Sequence, residues 1–281
     1  MRHRVGRCLL RCAVLGDPIA HSLSPTLHRA GYAALGLEWE YDAVRVGEEG
    51  LGPFLDRLDG SWRGLSLTMP LKRRALALAT AVSDRAHLAG AVNTLVVEDG
   101  AVVLADNTDL PGAVAAVRER YGGPVTTGTV LGGGATAAST GLALCELGAT
   151  AVRLLARTPG RAADTAAAIA AHPSAPHVEV LPLAGGEVVG EVVVSTVPAA
   201  AQDAGLVARS ASTPVVFDVV YDPWPTPLAA AVGGDRVLVG GLDLLVHQAV
   251  LQFELFTGQP APLDAMREAG ERQLASRQAP G

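Results

Sequence analysis

A short apolar run over 12–15 predicts a first strand, and the polar, proline-punctuated stretch 16–25 follows it as a loop. Ser24 and Pro25 read as the N-cap and first residue of a helix that ends near Leu35 and Gly36. Alternation over 39–46 predicts a strand, 51–58 a helix, and 65–68 a short buried strand. Pro70 opens a helix over about 71–79, and apolar runs at 92–97 and 101–104 flank the hairpin signal Glu98-Asp99-Gly100. From about Asn107 the pattern changes. A helix over 110–120 leads to a strand at 129–131, a glycine turn, a helix over 136–147, Gly148 and a strand over 151–155. Further helix and strand patterns fall at 164–171, 178–181, 192–196, 215–219 and 237–239, the alternation that builds βαβ units on a parallel sheet. The last long helix covers about 242–256, after Gly240-Gly241.

A length of 281 residues favours two domains. With 49% hydrophobic and 18% charged residues, the chain can bury a core without metal or disulfide staples. A net charge of −6 argues against a nucleic-acid partner. The uncharged stretch 122–145 is long enough to cross a bilayer, but its glycines, proline and threonines read as strand, turn and helix, so no membrane partner is expected. The N-terminus is basic at Arg2, Arg4 and Arg7, yet its apolar run 8–10 is too short for a secretion signal. Cys8, Cys12 and Cys145 form an odd set without a C-x-x-C pair, which points away from zinc or a disulfide framework and toward the cytoplasm.

Of 22 basic residues only Lys72 is a lysine; asparagine occurs only at 93 and 107, and isoleucine only at 19 and 169. That bias looks like pressure from a GC-rich genome, and a lysine that survives it is a lead. Arginine stays protonated, whereas lysine can pass a proton. Lys72 ends the stretch Ser66-Leu67-Thr68-Met69-Pro70-Leu71-Lys72, where a strand runs into a helix, the edge at which α/β proteins bind ligands. Asn93 and Asn107 lie in the small polar clusters Gly90-Ala91-Val92-Asn93-Thr94 and Asp106-Asn107-Thr108-Asp109. Read locally, the asparagines are turn or cap residues and Asp109 is a first-turn carboxylate.

Leu131-Gly132-Gly133-Gly134-Ala135-Thr136-Ala137 fits G-x-G-x-x-A between a strand and a helix. In that setting Gly132, Gly133, Gly134 and Ala135 allow a tight turn and the approach of a pyrophosphate to helix N–H groups. After the second strand, an acid would bind the 2′-hydroxyl of NAD. This chain instead has Ala156-Arg157-Thr158-Pro159-Gly160-Arg161. Two guanidiniums and a hydroxyl suit the 2′-phosphate of NADP; the local alternative is a solvated basic loop.

On these motifs the chain resembles the shikimate dehydrogenase family from about Ala13 to about Met266. The motifs are Gly16-Asp17-Pro18-Ile19-Ala20-His21-Ser22-Leu23-Ser24-Pro25 with His28, Thr68-Met69-Pro70-Leu71-Lys72, the two asparagine clusters with Gly112, Tyr221-Asp222-Pro223-Trp224-Pro225-Thr226-Pro227, and Gly241-Leu242-Asp243-Leu244-Leu245-Val246-His247-Gln248. The resemblance implies an α/β protein of two domains with a cleft between them. An N-terminal substrate domain would comprise 12–106 plus 242–275, a Rossmann-type NADP-binding domain 107–241, and 1–11 an extension.

The same resemblance implies reduction of 3-dehydroshikimate to shikimate with NADPH, by a monomer or homodimer. Ser22 and Ser24 would hold the substrate carboxylate with Tyr221 nearby; Thr68, Asn93 and Gln248 would surround the ring hydroxyls. Lys72 and Asp109 would be the catalytic pair, and Gly132, Gly134, Arg157, Thr158, Arg161 and Gly241 would serve the cofactor. His21, His28 and His247 are expected to be packed and hydrogen-bonded, without a catalytic role. The chain departs from the family at Ser66-Leu67, where Asn-Val is usual, at Ala156, where Asn is usual, and at Leu244, where Met is common. Alternatives are a quinate or aminoshikimate dehydrogenase relative and a non-catalytic NADP-binding sensor.

Overall fold

The computed structural model describes residues 9–278, as two compact units. The expectation for the N-terminal extension and Cys8 falls largely outside those residues. The first unit comprises the chain up to Val82, Asn93–Asp106 and the residues from Ala249 onward. Strand β1 (Leu10–Gly16) is an interior strand of its sheet, with 12–16 buried. Helix α1 (Ser24–Ala34), strand β2 (Trp39–Arg45), the short helix α2 (Leu51–Leu55), strand β3 (Trp62–Leu67) and helix α3 (Leu71–Leu78) follow. Helix α4 (Asp84–Ala89), which belongs to the second unit, precedes the hairpin of β4 (Thr94–Glu98) and β5 (Ala101–Asp106). The sheet order is β2-β1-β3-β4-β5; β1, β2 and β3 are parallel, and the hairpin is antiparallel. Positive φ at Asp99 and Gly100 makes the primed turn a two-residue hairpin needs.

The expected helix over 51–58 stops at Leu55, because Arg57 and Leu58 bond three residues back, to Phe54 and Leu55, in a tighter turn. Ser24 is not a capping residue: Leu23 holds the cap position, and its side chain makes no capping hydrogen bond. Helix α4 did not stand out in the sequence, although Ser83 caps it and Gly90 closes it at φ +62.

The second unit comprises Ser83–Val92 and Asn107–Gln248. After helix α5 (Asp109–Arg120) come β6 (Thr127–Leu131), α6 (Ala135–Glu146), β7 (Ala151–Ala156), α7 (Ala163–Ala170), β8 (His177–Pro182), β9 (Val192–Ser195), α8 (Ala204–Arg209), β10 (Val215–Asp218), α9 (Pro227–Ala230) and β11 (Val237–Val239). All six strands are parallel in the order β11-β10-β9-β6-β7-β8. This is the doubly wound arrangement of dinucleotide-binding folds, with its switch point between β6 and β9. One face packs Val130, Leu142, Leu144, Val194 and Phe217, the other Leu131, Leu155, Val193, Leu206 and Leu228. The chain then enters α10 (Gly241–Thr257) and α11 (Leu263–Gln278). The unit boundary falls inside α10, after Gln248.

The hydrophobic pattern ended at α10, whereas α11 is a further helix packed on α1. In the first unit, Phe253 and Phe256 of α10 and Met266 of α11 are buried with Leu27, His28 and Tyr32 of α1. The His28 ring stacks on Tyr41 at 4.1 Å. Among the described residues no helix is long and apolar enough to cross a membrane.

Candidate active site

In the first unit the loops after β1 and β3 are stitched together. Thr68 N–H donates to the Leu15 carbonyl, and Asp17 N–H to the Met69 carbonyl, both at 2.9 Å. Gly16 permits this approach, since a Cβ there would lie 2.3 Å from Thr68 Cγ2. The β1 loop carries Ser22 and Ser24, whose backbone N–H donates to Ser22 Oγ at 3.3 Å. The β3 loop carries half-buried Thr68, and the first turn of α3 after it carries half-buried Lys72. Because β4 runs antiparallel to β3, its start also meets this edge: Leu67 N–H donates to the Asn93 carbonyl at 2.7 Å. Five expected substrate or catalytic residues, Ser22, Ser24, Thr68, Lys72 and Asn93, thus gather at one edge of one sheet.

Electrostatics at that edge favour an anion. Lys72, Arg73 and Arg74 lie in the first half of α3, whose first turn carries no acid. Cations there oppose the helix dipole, so the placement costs local stability rather than adding to it.

In the second unit Asp109 opens α5 and is buried, which also complements the helix dipole. Asn107 does cap-like work ahead of it: Oδ1 accepts Leu110 N–H at 3.1 Å, while Nδ2 donates to the Ala91 carbonyl and to Ser139 Oγ. For Asn107 the local reading suffices. Gly112, one turn beyond Asp109, backs onto Gln248, where a Cβ would lie 2.9 Å from the Gln248 nitrogen. The α5–α10 pair is further tied by Arg120 to Asp243 at 2.8 Å and by His247 Nε2 to Glu119 at 2.9 Å. His247 is therefore hydrogen-bonded as expected. His28 is buried, but neither ring nitrogen has a partner among the described residues, and His21 is exposed. Burial, against a smaller opposing effect of the nearby Gln252 amide, pushes His28 down to about 3, so it is neutral.

The glycine turn follows β6 at the switch point. Gly132 has φ +124, and a Cβ there would collide with Thr196 Oγ1, so only glycine fits. Gly133 lies against Ala162. Gly134 faces open space, and α6 starts at Ala135 without a side-chain cap. Arg157 and Thr158 follow β7, adjacent to β6, and a 3-10 turn (Pro159–Ala162) carries Arg161. Both arginines are exposed, and neither side chain has an ionic or hydrogen-bonding partner among the described residues. An open turn with free helix amides and two uncommitted guanidiniums fits a dinucleotide bearing an extra phosphate. Gly241 is enclosed instead: a Cβ there would meet the Val219 carbonyl at 2.5 Å, so its side serves close packing.

Tyr221 lies in the loop after β10. The sequence reading overlooked the residue that anchors this loop. Buried Asp218 accepts from Thr226 Oγ1 at 2.6 Å, Gln202 Nε2 at 2.8 Å and Val220 N–H at 3.1 Å. Burial pushes its carboxyl up, and the three hydrogen bonds oppose that. The available signal was an acid closing the apolar strand Val215-Val216-Phe217. Among the described residues, no cluster of three or more His, Cys, Asp or Glu is placed to hold a metal ion.

Comparison with known proteins matches residues 14–95 to the shikimate dehydrogenase substrate binding domain and residues 241–269 to the shikimate 5′-dehydrogenase C-terminal domain. The chain is 38% identical over 258 residues to a shikimate dehydrogenase (NADP(+)) of Caulobacter vibrioides, covering 89% of this chain and 90% of that one. The crystal structure of Mycobacterium tuberculosis shikimate dehydrogenase is 40% identical, with a TM-score of 0.84 over 94% of this chain and 99% of that one. A shikimate 5-dehydrogenase of Thermus thermophilus, solved with NADP(H) and shikimate, is 31% identical, with a TM-score of 0.78 over 94% and 99%.

Proposed function

Because the chain belongs to the shikimate dehydrogenase family, we propose that it catalyses the reversible NADPH-dependent reduction of 3-dehydroshikimate to shikimate, a step of aromatic amino-acid biosynthesis. The observation that carries this reading is the edge of the first sheet, where Ser22, Ser24, Thr68, Lys72 and Asn93 gather beside a basic helix start. A cyclic hydroxy acid needs a cationic or hydroxyl-rich grip for its carboxylate and polar side chains for its ring hydroxyls.

We assign 12–106 plus 242–275 to substrate and 107–241 to NADP; within those bounds, 83–92 and 242–248 pack in the second compact unit. When bound, NADP(H) supplies or takes up the hydride. Gly132, Gly133, Gly134 and Ala135 would hold its pyrophosphate and Arg157, Thr158 and Arg161 its 2′-phosphate, with Gly241 shaping the packing behind. Ser22 and Ser24 hold the carboxylate, and Thr68 and Asn93 hold ring hydroxyls; Tyr221 and Gln248 are assigned to the same substrate. The Lys72 ammonium donates its proton to the developing alkoxide and stabilises its charge. Asp109 is assigned as the carboxylate of the catalytic pair. Cytoplasmic location accords with the buried free thiols of Cys12 and Cys145, and the working form is a monomer or homodimer.

The deciding experiment compares turnover of shikimate and quinate, each with NADP and NAD. Fastest oxidation of shikimate with NADP is expected. Faster quinate turnover with NAD overturns the assignment; NADPH binding without any turnover makes the protein a sensor.

A further inference from the structure

We infer that Thr94 and Gln252 are positioning residues that lock the Asn93 amide with its N–H groups turned toward the substrate; this rests on the substrate role proposed for Asn93. The argument starts from a group whose polarity is fixed, because a backbone carbonyl can only accept. The Asn93 carbonyl takes Gln252 Nε2 at 3.2 Å, which sets the orientation of the Gln252 amide. The same Nε2 donates to Thr94 Oγ1 at 3.0 Å, and Oε1 accepts from Ser66 Oγ at 2.7 Å. Ser66, having given its proton to Gln252, accepts from Tyr41 OH at 2.6 Å. Thr94, accepting from Gln252, gives its only proton to Asn93 Oδ1 at 2.8 Å.

Every link from Tyr41 through Ser66, Gln252 and Thr94 to Asn93 therefore donates in the same direction. Asn93 Oδ1 is held as an acceptor by Thr94, which fixes the orientation of the amide and makes its other end, Nδ2, a donor. An asparagine amide can otherwise turn over and exchange donor for acceptor with little change in shape. All five residues are no more than 4% exposed, and a buried polar network is favourable only when every member is satisfied. The chain begins on β2, passes Ser66 at the position where the family usually has Asn, and crosses 159 residues of sequence between Asn93 and Gln252.

Thr94→Val keeps the shape and removes the hydroxyl. Its KM for shikimate is expected to rise about three- to tenfold, the worth of one neutral hydrogen bond. KM for NADP should stay near wild type, the thermal midpoint should fall by a few degrees because the buried Gln252 Nε2 and Asn93 Oδ1 each lose a partner, and Thr94→Ser should restore both the midpoint and the shikimate KM. Gln252→Met carries the same expectation, and the same overturning result, should Thr94→Val not fold. Tyr41→Phe only empties an acceptor site on Ser66 and should leave the shikimate KM unchanged. A wild-type KM for shikimate in Thr94→Val, or equal rises for both substrates, overturns the inference alone. Wild-type protein that does not oxidise shikimate overturns the functional reading, and this inference with it.

Discussion

Lys72 stands second in α3, where a positive charge opposes the helix dipole and its two neighbours repeat the charge. Arginine would supply that charge equally well, and the rest of the chain prefers it. Proton donation is what arginine does not supply. Lys72→Arg should therefore cost turnover nearly as much as Lys72→Ala, on the order of 10²–10⁴-fold, with a smaller effect on shikimate binding. Steady-state kinetics decide this: near-normal turnover in Lys72→Arg would assign the proton to another group or a water. His28 tests a different property. Its folded value of about 3 lies below the ordinary 6.5, so between those pH values the unfolded chain binds a proton that the folded chain does not. Stability then falls as pH drops from about 6.5, and His28→Phe removes that contribution. Urea unfolding should show wild type losing about 1 kcal/mol more than His28→Phe between pH 6 and pH 5; equal losses would refute the account.

Among the elements, the β6 turn and the loop after β7 form one half of the proposed chemistry, and the α5–α10 pair carries Asp109 and Gln248. Arg157 makes no intramolecular pair among the described residues, so removing it should leave the fold intact. Arg157→Ala should weaken NADP by about ten- to a few hundredfold and NAD much less, since only NADP has a 2′-phosphate. Fluorescence titration of both cofactors measures this, and equal weakening would give Arg157 a structural role. Gly112→Ala places a methyl about 3 Å from the Gln248 backbone, too close for α5 to keep its seat on α10. It should destabilise by about 1–3 kcal/mol and raise the shikimate KM. An unchanged unfolding midpoint and KM would mean that the helices yield without consequence.

At the scale of the whole molecule, each unit should respond to its own ligand. In hydrogen exchange, NADP alone should protect 132–137 and 157–162, and shikimate alone should protect 22–27 and 68–72. The reverse pattern would contradict the assignment of substrate to one sheet edge and cofactor to the other sheet.

Features written in consecutive residues were legible without the fold. Strands such as β1 and β7 declare themselves by apolar runs, the glycine turn by its spacing, and the missing acid after β7 by Arg157 and Arg161. Lys72 and Asn93 stood out because rare residue types fell in short polar motifs, and Ser22 stood out through the family motif that carries it. Helix α4 has six residues, too few to display a period. Helix α11 is mostly polar and becomes a core element only where Met266 is buried against α1. Ser24 looked like a cap because Pro25 follows it, but the chain turns one residue earlier. Asp218 gains its importance from Gln202 and Thr226, and Asn93 its orientation from Gln252. By itself the sequence determined which segments become strands and helices and which residues carry chemistry, because those depend on neighbours along the chain. Strand order, the partners of buried polar groups and the direction of each hydrogen bond were decided by the tertiary structure alone, because they arise between residues that only folding brings together.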